Sequence, residues 1–345
     1  MSVPKILAIA TATPEHYFTQ SRLAELAAEV AGYHDPQRLG FFAHSEIEGR
    51  YLYLDPNRVR ADESVDELNE RFERGALELG RTALLRCLGR AGWSPQDVDF
   101  LATTTCTGRV CPSLDAHLIR DLGCRPDIQR VHVGDTGCAS AMVALQQAYN
   151  HLQAFPDHRA LVLAVEICSA AYYLDDRLES AVAHAIFADG AGALALGTEG
   201  EGITILGHRT LFRPEYLPAM GFTYPGGRPR VILSKDVRRV GAVMMREMAE
   251  VLLASQGLKR GDVRAWVLHS AGRRVIERAQ KLMDLSEADV AAPRAVLRRY
   301  GNMSSVTVVF VLEEVTRTVQ PNPGDWGVMI ALGPGFAAEG ALLRW

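Results

Sequence analysis

Apolar residues along this chain fall into blocks of two periods, and the blocks alternate. Between residues 69 and 90, Leu77, Leu79, Ala83, Leu84, Cys87 and Leu88 recur mostly at steps of three or four. That spacing predicts an amphipathic helix closed by Gly89 and Gly92. Residues 98–105 then read as a buried strand whose only charge is Asp99. Residues 131–133 form a short predicted strand running into GDTGCASAMVALQQAYNHLQ, a glycine turn that feeds a long helix. The stretch 158–168 is nearly continuous in apolar residues and predicts a central strand, and 186–196 predicts a turn followed by another. The later half predicts helices at 240–256 and 271–283, a strand at 262–268, and a strand or loop up to Asn302. Strands are predicted again at 304–313 and 326–332. Segment 44–80 is charged and reads as mostly helical, with a solvated face.

These blocks repeat. GWSPQDVDFLATTT (92–105) lies on GLKRGDVRAWVLHS (257–270) at a constant offset, and a long amphipathic helix precedes both. At the same offset the turn before Cys138 falls beside residues 300–304, and the strand 160–167 falls near 325–332. Three features in one order indicate a duplicated α/β unit. Two such halves share a core and leave a cleft where strand ends meet helix starts, which is where α/β proteins usually bind ligands.

Composition narrows the classes. A chain of 345 residues with 48% apolar content is too long for one ordinary core, so two packed units or one fused core remain. The 37 basic and 41 acidic residues give a formal charge of -4, which argues against nucleic acid or an anionic membrane as main partner. Six cysteines over this length do not make a disulfide framework. The first twenty residues lack a secretory apolar run, and no stretch approaches the length of a membrane span. The expectation is a soluble, cytoplasmic protein.

Candidate chemistry gathers at glycine-rich junctions. Cys138 sits among small residues at a predicted helix start, where backbone N–H groups and the helix dipole favour a thiolate and a developing oxyanion. A buried structural cysteine is the competing reading. His269 ends an apolar strand in LHSAG, and Asn302 lies between a glycine and an apolar run in YGNMSS. Each alone reads as structural, and together they sit on the edge of the predicted cleft. No CxxC pair, HExxH, GxGxxG or GxxxxGK[ST] pattern occurs, so neither a metal site nor a nucleotide loop is expected.

GCASA around Cys138, IFADGAG around Phe187, LHSAG at His269, YGNMSS at Asn302 and GPGF at 333–336 resemble the type III polyketide synthases. These are the chalcone-synthase-like branch of the thiolase superfamily, and the resemblance covers nearly the whole chain. It implies an α/β, duplicated thiolase-like fold of five αβαβα layers, two pseudo-repeated halves with mixed sheets. Residues 1–205 would carry the cysteine, and 206–345 the histidine and asparagine. By resemblance Cys138 is the acylated nucleophile, while His269 and Asn302 stabilise thioester oxyanions. Phe187 stands between the coenzyme A tunnel and the elongation cavity. Cys106 and Thr107 line the pocket wall, with Val231 and Gly335 also expected there, and Cys111 projects across a dimer interface. Ala271 and Gly272, beside the histidine, are expected at the coenzyme A site.

Two departures concern substrate. HSAG stands where the family usually has HPGG. The basic residues that usually grip coenzyme A phosphates are unmatched in QRLGFFAHSEI, leaving Arg38 and His44 as their expected substitutes. The implied substrates are malonyl-CoA and an acyl-CoA starter, with no tightly bound cofactor and no metal, in a homodimer. The implied product is an aromatic or pyrone, of tetrahydroxynaphthalene or 3,5-dihydroxyphenylacetyl type. The alternatives are a ketoacyl synthase III-like enzyme that condenses once, an acyltransferase, or a non-catalytic thiolase-fold protein that only binds acyl groups.

Overall fold

The first strand, β1 (Lys5–Ala12), alternates half-buried and buried positions, and a short ribbon β2 (Tyr17–Thr19) and β3 (Gly49–Tyr51) brackets helices α1 (Gln20–Ala31) and α2 (Pro36–Ala43). Here the structure is a computed structural model that describes residues 3–175 and 177–345. Helix α3 (Val65–Ala91) begins on a capping box between Ser64 and Glu67 and ends at Gly92. Its face of Leu68, Phe72, Ala76, Leu79, Ala83 and Leu88 is buried, and it leads into β4 (Phe100–Thr105). After α4 (Leu114–Leu122) and β5 (Gln129–Gly134), a 3₁₀ turn at Gly137–Ala139 opens α5 (Ser140–Ala154). β6 (Ala160–Ile167) and β7 (Asp189–Gly197) flank α6 (Leu178–Ile186), and both strands are buried at every position.

The second half repeats this order. β8 (Ile203–Phe212) is followed by the hairpin β9 (Met220–Thr223) and β10 (Arg230–Leu233). Next come α7 (Val237–Ala254), β11 (Val263–Leu268), α8 (Arg273–Met283) and α9 (Ala291–Tyr300). A 3₁₀ turn at Ser304–Val306 opens α10 (Thr307–Thr318), and β12 (Trp326–Gly333) and β13 (Ala337–Arg344) complete the unit.

All the long strands form one sheet, in the order β11-β12-β13-β8-β1-β7-β6-β4-β5. Outward from its centre, β8-β13-β12-β11 mirrors β1-β7-β6-β4. At the centre β1 and β8 are antiparallel, with Lys5 opposite Thr204 and Ile6 opposite Ile203. Helix α3 packs on β1, β6 and β7, and α7 packs on β8, β12 and β13. Between them α5 and α10 each touch strands of both halves. These are the five layers of the thiolase-like fold. The division expected at 205/206 falls inside β8. Among the described residues no helix is long and apolar enough to cross a membrane.

Several local expectations are corrected. Residues 304–313 are not a strand: a 3₁₀ turn leads into α10, whose β-branched run is buried between the two half-sheets. A short apolar run does not separate a buried helix from a buried strand by periodicity. The stretch before Asn302 is helix α9 rather than a strand or loop. Segment 44–80 is only partly helical, since β3 occupies its start and α3 begins at Val65.

One buried charge ties the ribbon to α6 and to the turn before Asn302. Arg50 on β3 is fully buried, and its guanidinium donates to Gln20 Oε1 at 3.2 Å, His184 O at 2.7 Å and Phe187 O at 2.6 Å. It thereby caps the C-terminal end of α6. Gly301 packs on the Arg50 stem, where a Cβ would come within 2.7 Å of it, and its φ of 71° suits glycine alone. Arg50→Met should lower unfolding free energy by about 2–4 kcal/mol, because it strands three acceptors in the interior. Urea denaturation measures this, and an unchanged midpoint would refute the pinning role. Arg50→Lys should recover little, since one ammonium does not span those acceptors.

Candidate active site

Cys138 lies in the 3₁₀ turn ahead of α5, at the floor of a cavity of about 50 Å³. Gly137 makes the turn possible: its φ is 58°, and a Cβ there would sit 2.2 Å from Pro334 Cδ. The cavity wall includes Cys106, Thr107, Phe187 and Val231, as expected from the sequence. Cys168, Tyr172, Met220, Phe222, Leu233 and Ser304 complete much of it, and no sequence pattern pointed to them. Gly335 does not line it; its neighbour Pro334 does. Cys111 is exposed and outside the cavity. All six cysteines are free thiols.

The other two candidates arrive from the second half. His269 follows β11 and is 1% exposed, and neither ring nitrogen has a hydrogen-bond partner among the described residues. Buried polar atoms rarely go unpaired unless they serve a ligand, a water or the chemistry of a site. Asn302 precedes the 3₁₀ turn of α10. Its Oδ1 accepts from Ser304 N at 2.9 Å and Thr307 Oγ1 at 3.4 Å, and its Nδ2 donates to Ala271 O at 3.2 Å. The two donors fix the amide orientation and leave one N–H of Nδ2 uncommitted. The backbones of Asn302 and Phe187 are bridged, with Asn302 N donating to Ile186 O at 2.8 Å and Ala188 N to Asn302 O at 2.9 Å. Through Arg50, the cavity-wall aromatic and Asn302 are held by one buried charge.

Ser304 joins this side to Cys138. Its hydroxyl donates to Cys138 Sγ at 3.3 Å and lies 3.1 Å from Cys106 Sγ. Behind Cys106 is Glu166, a carboxylate on β6 with 0% exposure. It accepts from Thr105 Oγ1, Cys106 N, Cys106 Sγ, Thr107 Oγ1 and Ser305 Oγ, at 2.5–3.3 Å. A lone charge in the apolar run LVLAVEIC was the sequence signal for this residue.

The electrostatics correct one expectation. Burial pushes the Cys138 thiol up to about 11, and the Ser304 hydrogen bond only partly opposes it. Burial also drives His269 down to about 4. Burial thus works against charge on both side chains, against the thiolate that the helix start favours. Burial raises Cys106 and Cys168 well above the usual thiol range, with further push from Glu166.

The residues expected to hold coenzyme A divide. Ala271 and Gly272 follow His269, with Ala271 O bound to Asn302 and Gly272 capping α8. Arg38 is paired with Asp35 at 2.7 Å within α2, and His44 is exposed at the end of that helix. None of these four residues borders the cavity.

Ser304 gives a test with a definite sign. Its hydrogen bond lowers the Cys138 pKa, so Ser304→Ala should move the pH profile of thiol alkylation by iodoacetamide to higher pH. At fixed pH the rate should fall about fivefold, the equivalent of one hydrogen bond of ~1 kcal/mol. An unshifted profile would remove Ser304 from the control of the thiol.

Residues 56–203 match the family described as FAE1/Type III polyketide synthase-like protein, and residues 230–345 match Chalcone and stilbene synthases, C-terminal domain. The chain is 33% identical to a 3,5-dihydroxyphenylacetyl-CoA synthase of Streptomyces toyocaensis, over 99% of this chain and 90% of that protein. It is 31% identical to a 1,3,6,8-tetrahydroxynaphthalene synthase of Streptomyces peucetius subsp. caesius, over 99% of this chain and 93% of that one. The crystal structure of PKS-I from the brown alga Ectocarpus siliculosus superposes with a TM-score of 0.92 at 30% identity, covering 99% of this chain and 98% of the other. By its five-layered fold, these two family matches and these relatives, the chain belongs to the type III polyketide synthases, acyltransferases that work on coenzyme A thioesters.

Proposed function

We propose that the protein extends an acyl-CoA or malonyl-CoA starter by decarboxylative Claisen condensation with malonyl-CoA, through a thioester on Cys138, and closes the extended chain to an aromatic or pyrone product. One observation carries this reading. A hydrogen-bonded path runs from Ala271, two residues past His269, through Asn302 and Ser304 to a thiol at the floor of a small cavity.

Burial that disfavours charge on both Cys138 and His269 suits the first step. As Cys138 sulfur attacks the starter carbonyl, its proton moves to the unpartnered imidazole of His269, and the departing coenzyme A thiolate takes that proton back. Malonyl-CoA then presents its thioester carbonyl to His269 and to the uncommitted N–H of Asn302. Loss of carbon dioxide leaves the bond electrons as an enolate, whose oxygen these two donors stabilise. The enolate carbon attacks the acyl-Cys138 carbonyl, and the cysteine leaves as thiolate from a chain two carbons longer. Phe187 and the apolar walls exclude water from the enolate.

Similarity to the dihydroxyphenylacetyl-CoA and tetrahydroxynaphthalene synthases supports a malonyl-primed aromatic product. The chain works as a homodimer in this reading. β5 offers an unpaired outer edge, and the Arg109–Asp135 ion pair at 2.9 Å ties the loop bearing Cys111 to its end.

Three variants separate the roles. Cys138→Ala should lose starter loading while still releasing carbon dioxide from malonyl-CoA. Asn302→Ala should load the starter yet lose decarboxylation, and His269→Ala should lose both. Intact-protein mass and carbon dioxide release read these outcomes, and persistent loading in Cys138→Ala would sink the assignment. Mass spectrometry of products from malonyl-CoA alone should find a multiply extended, cyclised compound. A singly condensed product would favour the ketoacyl synthase alternative.

A further inference from the structure

Most arginines of this protein that stand near acids are paired with them, but three that converge are not. Arg238 lies in the first turn of α7, and Arg274 and Arg278 lie one turn apart on α8, which packs against α7. No ion pair or hydrogen bond engages any of the three among the described residues, whereas their neighbours Arg239 and Arg273 are held by Asp236 and Glu277. Arg238 is half-buried, and burial, together with the charges of Arg274 and Arg278, lowers its pKa. The first turns of α7 and α8 contain no acidic residue. Guanidinium groups therefore sit at the positive ends of two helices, an arrangement that costs free energy until an anion joins it.

Each arm of the cluster is a short stretch of chain from a residue of the site. Leu233, in the cavity wall, precedes Arg238 by five residues, and His269 precedes Arg274 by five. Even a fully extended chain places each pair within about 18 Å. A pantetheine arm bridges such a span, so a thioester seated at Cys138 would bring its phosphates to these side chains. The α2 segment offers no comparable group, since Arg38 is engaged by Asp35.

We propose that Arg238, Arg274 and Arg278 hold the phosphate groups of the coenzyme A thioester, placing the anion grip of this chain on the second half of the fold. Guanidinium forks match phosphate oxygens in geometry and charge. The proposal rests on reading the cavity as the thioester site, and it is tested by binding rather than turnover.

Coenzyme A and pantetheine, which lacks every phosphate, are titrated calorimetrically into the full-length protein and into the Arg238→Gln/Arg274→Gln/Arg278→Gln variant. Coenzyme A affinity should fall about tenfold for each guanidinium–phosphate pair removed, and its salt dependence should flatten. Pantetheine affinity should not change, and the melting temperature of the variant should stay near that of the parent. Undiminished coenzyme A binding by the variant would overturn the proposal while leaving the condensation reading intact. Loss of affinity for an acidic acyl carrier protein with coenzyme A affinity retained would overturn it too, in favour of a protein-docking patch. If coenzyme A binding depends on the arginines but malonyl-CoA is never condensed, the grip stands and the condensation reading fails.

Discussion

Burying the carboxylate of Glu166 is the constraint on which the site's geometry depends. An unsatisfied carboxylate in this interior would cost several kcal/mol, so β6 can carry one only if donors converge on it. They come from both halves of the chain: Thr105, Cys106 and Thr107 from the end of β4, and Ser305 from the turn before α10. Satisfying one charge therefore locks two strand ends and a turn of the opposite half into a single register. Ser304, next to Ser305, is thereby set within hydrogen-bonding distance of Cys138. A tightly satisfied polar network of this kind specifies one arrangement of the interior more sharply than apolar packing alone.

On the opposite wall, Arg50 does for Phe187 and Asn302 what Glu166 does for Ser304. The two buried charges have opposite sign and are each neutralised by dipoles rather than by one another. Burial elsewhere in this interior drives the Cys138 thiol and the His269 imidazole toward their uncharged forms.

Much of this was legible in the sequence. The repeat at 92–105 and 257–270 leads in the structure to β4 and β11, on opposite arms of a mirrored sheet, and Cys138 and Asn302 are joined through Ser304 by hydrogen bonds. What escaped has physical reasons. VTVVFVL is β-branched at five of its seven positions, and only its position between two half-sheets makes it helix α10. β8, with Gly207, His208 and Arg209 within it, has no clean alternation, yet it is central because it pairs with β1 and β13. Met220, Phe222 and Leu233 reach the cavity through a hairpin whose docking no local pattern encodes. The helix start that favours a Cys138 thiolate is visible in sequence, and the depth of burial that opposes it is not.

The mirrored sheet also constrains how the protein is made. β1 leaves the ribosome first, but its partner strands β7 and β8 begin only near residues 189 and 203. β13, the partner that shields β8 on its other side, ends at Arg344. At cellular rates of synthesis, the completed first half waits on the order of ten seconds with one flank of β8 unpaired. An open, apolar strand edge is a template for joining other chains. A protein of this topology is thus most vulnerable during its own translation, and its yield in a cell depends on what shelters that edge until the final strand arrives.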